Sequence, residues 1–200
     1  METTQYWTDD KDGYLERNRH LDPAGLVDFF AEGLRSVDAD EIDTICEYGC
    51  NVGLNLRALK ELFGGADICG YDINPEAVNI ANKILGVDAA LDSLLTPKID
   101  KYDLVLTKGL LIHIHPNDIQ IAYDNLYTMT GKYLLICEYY NPTPVEVEYH
   151  GKSDLLFKRD FAGDMLDKYP DLKLVDYGFR YSRDEYPQDD ITWFLLKKEK

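Results

Sequence analysis

The stretch CEYGCNVG, residues 46–53, puts a carboxylate, two glycines and an amide at one junction between an apolar run and a helix-like run. Gly49 and Gly53 permit a tight turn and let a ligand come close to the backbone, and the helix that follows offers unpaired N–H groups. Glu47, Cys50 and Asn51 border that approach and make it polar. Asp72 ends the next apolar run, 23 residues after Gly49, with Ile73 beside it. An acid in that place can accept two hydrogen bonds from a ribose diol. Together these residues describe a seat for a nucleoside, and the pairing of turn and acid says more than either signal alone.

Alternating strands and helices must hold that seat. Short apolar runs at 43–49, 67–72, 87–92, 102–109 and 133–140 read as strands, the third being the weakest. Between them, 55–64, 74–86 and 115–132 read as helices, and 159–171 as a further one. Leu56, Leu59 and Phe63 fall at helical spacing; Asn74 and Pro75 form a cap and first-turn proline, and Gly86 a stop. This alternation implies a largely parallel sheet. The closing runs, 172–181 and 190–198, are too closely linked for another helical crossover, so one of them must run antiparallel. The expected architecture is α/β: a three-layer, Rossmann-like sheet of seven mostly parallel strands with a C-terminal antiparallel strand. Residues 1–40 read as helices placed ahead of this domain (41–200), as a lid. Residues 141–158 read as a long connection of the lid or binding-loop type.

The ligand can be narrowed by what the turn lacks. A dinucleotide turn carries Gly-x-Gly-x-x-Gly, but here the second and third places hold Asn51 and Leu54. The Gly-Lys-Ser/Thr of a phosphate loop is missing as well. Glu47 disfavours a polyanion and suits a ligand with an adenosine and a cationic end, a description that S-adenosylmethionine meets. The pattern acid-x-Gly-x-x-x-Gly, here Glu47, Gly49 and Gly53, resembles the first motif of class I S-adenosylmethionine-dependent methyltransferases, and the strand pattern resembles that fold through 41–200. A narrower resemblance covers nearly the whole chain: YLERN, NVGLNLRALK, YDLVLTKGLLIHI, CEYYNPTPVEVEY and QDDITWFLLKK look like the methylases associated with pseudaminic acid biosynthesis. The resemblance implies that Gly49, Asn51 and Gly53 line the methionine end of the cofactor and Asp72 its ribose. It places Asp92 and Ser93 near the adenine, and Thr107, Lys108 and Gly109 beside the reactive methyl. S-adenosylhomocysteine would be the product.

Acceptor residues must come from strand ends and the two unusual segments. His113 lies just beyond the fourth strand, and a histidine side chain there could accept a proton. Glu138 could serve as a base if burial raised its pKa, and Tyr140 and Asn141 could hydrogen-bond an acceptor. Tyr149, Lys158 and Arg159 follow; the two cations could hold the carboxylate of an acidic sugar. Tyr6, Trp7, Tyr14, Arg17 and Asn18 could fold over the pocket from the N-terminal segment. Fifteen tyrosines exceed what a core needs, and such rings suit sugar or peptide surfaces.

Composition bounds the alternatives. The net charge of −16, from 37 acidic and 21 basic residues, disfavours nucleic acid, because tight binding needs clustered cations. No run reaches the roughly 18 apolar residues that span a bilayer. The start, METTQYWTDDKDG, lacks a cationic head followed by an apolar stretch, so a cytoplasmic location is expected. None of the four cysteines forms a Cys-x-x-Cys pair, and Pro116 follows His113 and His115 at once, so no metal site is expected. The reading is methyl transfer to a small polar acceptor, an acidic nonulosonic sugar of the pseudaminic type. The alternatives are an amine or carboxylate of a natural product or peptide, or a non-catalytic domain that binds the cofactor or a protein partner.

Overall fold

The computed structural model describes residues 6–9, 13, 24–84 and 86–199. Its main sheet contains β1 (Thr44–Tyr48), β2 (Asp67–Asp72), β3 (Val87–Leu91), β4 (Tyr102–Lys108), β5 (Thr130–Glu138), β8 (Leu172–Arg180) and β9 (Ile191–Lys198). The strand order is β3-β2-β1-β4-β5-β9-β8, with β9 antiparallel to both of its neighbours and the other pairings parallel. This is the expected α/β architecture. The strand order reverses between β1 and β4, and open α/β sheets bind ligands at such a point, beyond the carboxyl ends of the strands.

Helices α1 (Ala24–Gly33) and α2 (Leu54–Leu62) cover one face, and α4 (Ile119–Met129) and α5 (Phe161–Lys168) the other; α3 (Pro75–Ala81) lies against β2 and β3. Strand side chains alternate between the layers. Ile45, Leu104, Leu106 and Leu135 therefore pack with Phe29, Phe30, Leu56 and Leu59, while Cys46, Val105, Leu134 and Ile136 pack with Tyr123, Leu126, Phe161 and Met165. The same alternation sends Glu47 and Lys108 to the α1–α2 face and Thr107 and Glu138 to the other. Arg180, 5% exposed, joins β8 to α1 through Asp28, at 2.7 Å, and Glu32. Among the described residues no helix is long and apolar enough to cross a membrane.

Several boundaries differ from the sequence expectation. Residues 141–158 are not an irregular loop: β6 (Val145–Tyr149) and β7 (Lys152–Lys158) form an antiparallel two-stranded sheet, turned by His150 and Gly151 in left-handed conformations. The helix expected over 115–132 begins only at Ile119, because 116–118 form a turn, and Gly131 lies inside β5. The helix over 74–86 is confined to Pro75–Ala81. In the N-terminal segment, 6–8 and Ala24–Gly33 are helical; Tyr14, Arg17 and Asn18 lie outside the described residues.

Candidate cofactor and acceptor site

The turn after β1 is built from left-handed residues: Gly49 at φ 76°, Asn51 at φ 46° and Gly53 at φ 82°. A Cβ on Gly53 would stand 2.8 Å from Ile84 Cδ1, and one on Gly49 would stand 3.0 Å from Leu110, so both positions exclude side chains by conformation and by contact. Gly49 and Cys50 N–H groups both donate to the Tyr71 carbonyl, at 2.8 and 3.1 Å. Asp72 closes the arrangement: its carboxylate accepts from the Asn51 N–H and the Asn74 N–H, each at 2.8 Å. Burial raises the Asp72 pKa, against the pull of the Asn74, Asn51 and Ile73 backbone N–H groups. Gly49, Cys50, Asn51 and Asp72 thus belong to one hydrogen-bonded unit with Tyr71 and Asn74.

Glu47 lies beneath that unit with no exposed surface. One oxygen accepts from Asn55 Nδ2 at 2.6 Å, and Oε2 has no hydrogen-bond partner among the described residues. Burial pushes its carboxyl up to about 8; the Asn55 amide and the Lys108 ammonium pull against that shift, and the Asp72 charge adds to it. Lys108 itself rests over the Phe29 ring at 5.6 Å. Gly109 turns the chain at φ 65° with its N–H on the Cys137 carbonyl. A buried carboxylate with an unsatisfied oxygen is costly alone and is relieved by a cation or donor brought in by a ligand. That donor set fits the ammonium and sulfonium end of S-adenosylmethionine.

Beyond β3, Asp92 is engaged by its own surroundings. It accepts from Tyr48 Oη at 2.9 Å, Thr96 Oγ1 at 2.9 Å, the Ser93 N–H at 2.8 Å and the Lys98 ammonium. Burial alone would raise its pKa, but these bonds hold it below the ordinary carboxylate value. Tyr48 stacks on Tyr71 at 4.8 Å, so the floor under this end of the sheet is aromatic.

A second cluster stands past β4. Glu138, fully buried at the end of β5, accepts from the N–H groups of Leu110 and Leu111 at 3.1 and 3.0 Å and of Ile112 at 3.4 Å. It thereby anchors the 3-10 turn Leu111–His113. Burial raises its pKa to about 7, against those N–H groups and the Thr107 hydroxyl. His113 Nδ1 lies 2.7 Å from the Leu155 carbonyl; a carbonyl only accepts, so Nδ1 carries the proton and the lone pair of the neutral ring is on Nε2. The His113 ring packs on Trp7 at 4.2 Å and Tyr149 at 5.5 Å, and Tyr6 packs on Trp7 with the Lys152 ammonium 4.6 Å above it. Trp7, His113 and Tyr149, far apart in the chain, therefore share one wall.

Other expected acceptor residues do not join that wall. Tyr140 turns toward Phe194, at 6.0 Å, and lines a small cleft with Glu138, Arg159, Phe161 and Thr192. Arg159 is paired with Asp164 at 2.6 Å, Lys158 rests over the Tyr139 ring at 4.8 Å, and the Asn141 amide donates to the Thr143 carbonyl within its own turn. His115 is apart from His113, its Nδ1 accepting from the Asn117 N–H at 3.1 Å. Three contributors escaped the sequence reading: Asn55 on Glu47, Lys98 on Asp92 and Lys152 over Tyr6. Asn55, two residues past Gly53, carried a positional signal; the two lysines carried none.

A family model described as a methyltransferase domain matches residues 46–131. No curated protein matches the sequence. Among solved structures, the magnesium protoporphyrin IX methyltransferase of Synechocystis PCC 6803 with bound S-adenosylmethionine superposes with a TM-score of 0.74 at 14% identity, over 100% of this chain and 98% of that one. The 1,6-didemethyltoxoflavin N1-methyltransferase of Burkholderia thailandensis gives 0.68 at 12%, over 100% and 86%. An amino pentose methyltransferase of Micromonospora echinaspora gives 0.66 at 12%, over 92% and 94%.

The buried acids make the unliganded protein pH-sensitive. A carboxyl whose pKa is higher folded than unfolded keeps a proton that the unfolded chain has lost, so its stability contribution is full below about pH 4 and falls as pH rises toward 8. For Glu47 this loss is on the order of 2–4 kcal/mol between pH 5 and 8, and Glu138 acts in the same direction. Urea unfolding should show Glu47→Gln losing less stability than the native chain across that interval; equal losses would contradict the assignment. Residues 46–131 match the family model of a methyltransferase domain, and the chain as a whole has the fold seen in solved S-adenosylmethionine-dependent methyltransferases.

Proposed function

We propose that this S-adenosylmethionine-dependent methyltransferase methylates a small polar metabolite, an acidic nonulosonic sugar of the pseudaminic type or a derivative of it. The observation that carries the proposal is the wall of Trp7, His113 and Tyr149 next to the cofactor turn, with Lys152 over the adjoining Tyr6 ring. Flat amphipathic rings suit the face of a sugar, and a nearby ammonium suits its carboxylate. In this reading Glu47, Gly49, Cys50, Asn51 and Gly53 hold the methionine end of the cofactor, Asp72 and Ile73 the ribose, and Asp92 and Ser93 border the adenine. Thr107, Lys108 and Gly109 frame the approach to the methyl group. Residues 6–9 belong to an N-terminal lid over the acceptor.

The bound cofactor supplies an already activated methyl group for in-line displacement. What remains for the chain is alignment, exclusion of water and removal of one proton. His113 takes that proton from the acceptor at Nε2, with Leu155 fixing its tautomer. Glu138 has the pKa of a base, yet its oxygens receive three backbone N–H groups; it acts by holding the turn that presents His113. An amine acceptor is the second reading. It is favoured by the likeness to an amino pentose methyltransferase.

Cell extracts incubated with the protein and S-adenosylmethionine carrying an isotopic methyl label should yield, by mass spectrometry, a labelled acidic sugar. Label on a free amine would overturn that acceptor in favour of the second reading. In calorimetry, Asp72→Ala should weaken S-adenosylhomocysteine binding by about 1.5–3 kcal/mol, the worth of a charged hydrogen bond. Unchanged affinity would remove Asp72 from the site.

A further inference from the structure

Asn74 occupies an unusual position between the two halves of the site. It is 6% exposed. Its side-chain Oδ1 accepts from the Glu76 and Ala77 N–H groups at 2.9 and 3.2 Å, which caps α3. That capping fixes the orientation of the amide, since only oxygen can accept there, and leaves both Nδ2 protons pointing the other way. They go to the carbonyls of Trp7 and Thr8, at 3.2 and 3.4 Å. Its backbone N–H meanwhile donates to Asp72 Oδ1 at 2.8 Å, and Asp72 Oδ2 takes the Asn51 N–H at 2.8 Å. A continuous path of hydrogen bonds therefore runs from the turn after β1, through Asp72 and Asn74, to the backbone that carries Trp7. Trp7 in turn forms one wall with His113 and Tyr149. A cap needs only the oxygen of this side chain; its nitrogen serves a segment 66 residues and more away in the chain.

We infer that Asn74 is a positioning residue that couples cofactor occupancy to the placement of Trp7 over the acceptor wall. This rests on the proposed role of Asp72 at the ribose. A cofactor hydrogen-bonded to Asp72 stiffens the Asp72–Asn74 turn and favours the arrangement in which the Asn74 amide holds the 6–9 segment. The acceptor wall is then held most firmly when the cofactor is present, which favours binding of the cofactor first. Reciprocity follows: an acceptor that requires Trp7 in place tightens the cofactor by the same factor. The ordering suits a reaction in which water must be excluded from the methyl donor.

The test needs no acceptor. Trp7 and Trp193 are the only tryptophans, and Trp193 is fully buried in the α1–α2 face, so a ligand-dependent change in emission reports Trp7. A Trp7→Phe variant confirms that origin. In the native protein, saturating S-adenosylhomocysteine should change Trp7 emission and slow hydrogen exchange of residues 6–9 by about five- to tenfold. Asn74→Ser keeps a capping oxygen for α3 but is too short to reach Trp7 and Thr8. It should still bind S-adenosylhomocysteine, with affinity reduced by no more than that factor, while both responses disappear. A merely structural role for Asn74 would lower the melting temperature of Asn74→Ser and leave the responses intact. Binding without either response in the native protein, or a native response in Asn74→Ser, overturns the coupling. A calorimetric titration with no S-adenosylhomocysteine binding at all overturns the cofactor seat, and the coupling falls with it.

Discussion

A carboxylate with no exposed surface and one oxygen left without a donor is the constraint around which this site is arranged. Glu47 is placed there by the alternation of β1, which must send Ile45 and Glu47 to the same face as α2. An isolated buried charge is avoided by keeping the proton, which is why the group's pKa rises to about 8. The Asn55 amide and Lys108 relieve part of the cost and leave Oε2 without a partner among the described residues. A cationic ligand would be attracted to that oxygen. A diphosphate would instead add charge of the same sign, and the side chain of Asn51 occupies the place where a dinucleotide turn has glycine.

Above that acid, the second carboxylate does structural work. Asp72 joins the turn after β1 to the start of α3 through two backbone N–H groups, so the turns after β1 and β2 are tied to each other. Glu138 plays a parallel part at the end of β5, where three N–H groups fix the turn that presents His113. Both acids lie at strand ends, where the sheet is rigid and backbone donors from the following turns converge. The two turns are therefore fixed from two sides, and the segment carrying Trp7 is tied to Asn74 and packs on His113.

Much of this was legible before the structure. The seven-stranded, mostly parallel sheet, the antiparallel strand in its closing pair and the turn at 46–53 follow from period, turn residues and linker length, because each depends on neighbours in sequence. The hairpin at Val145–Lys158 was also legible: Val145, Val147 and Tyr149 alternate with Glu146 and Glu148 before a His-Gly turn. Its place in the chain, where a parallel sheet needs a crossover, masks that pattern. The helix start at Ile119 was obscured by Pro116, which opened a turn here. Contacts made through space left no sequence trace. Lys98 on Asp92, Asp164 on Arg159 and Asn74 on Trp7 depend on how layers pack, so the fates of Asp92 and Arg159 were out of reach.

A positive ligand filling the seat should draw the proton from Glu47, whose pKa burial raises to about 8. Calorimetric titration with S-adenosylmethionine near pH 7.5, repeated in buffers of different ionisation enthalpy, reads proton release directly. Release of a substantial fraction of one proton, abolished by Glu47→Gln, is the predicted result. Tight binding with no net proton exchange in the native protein would contradict it.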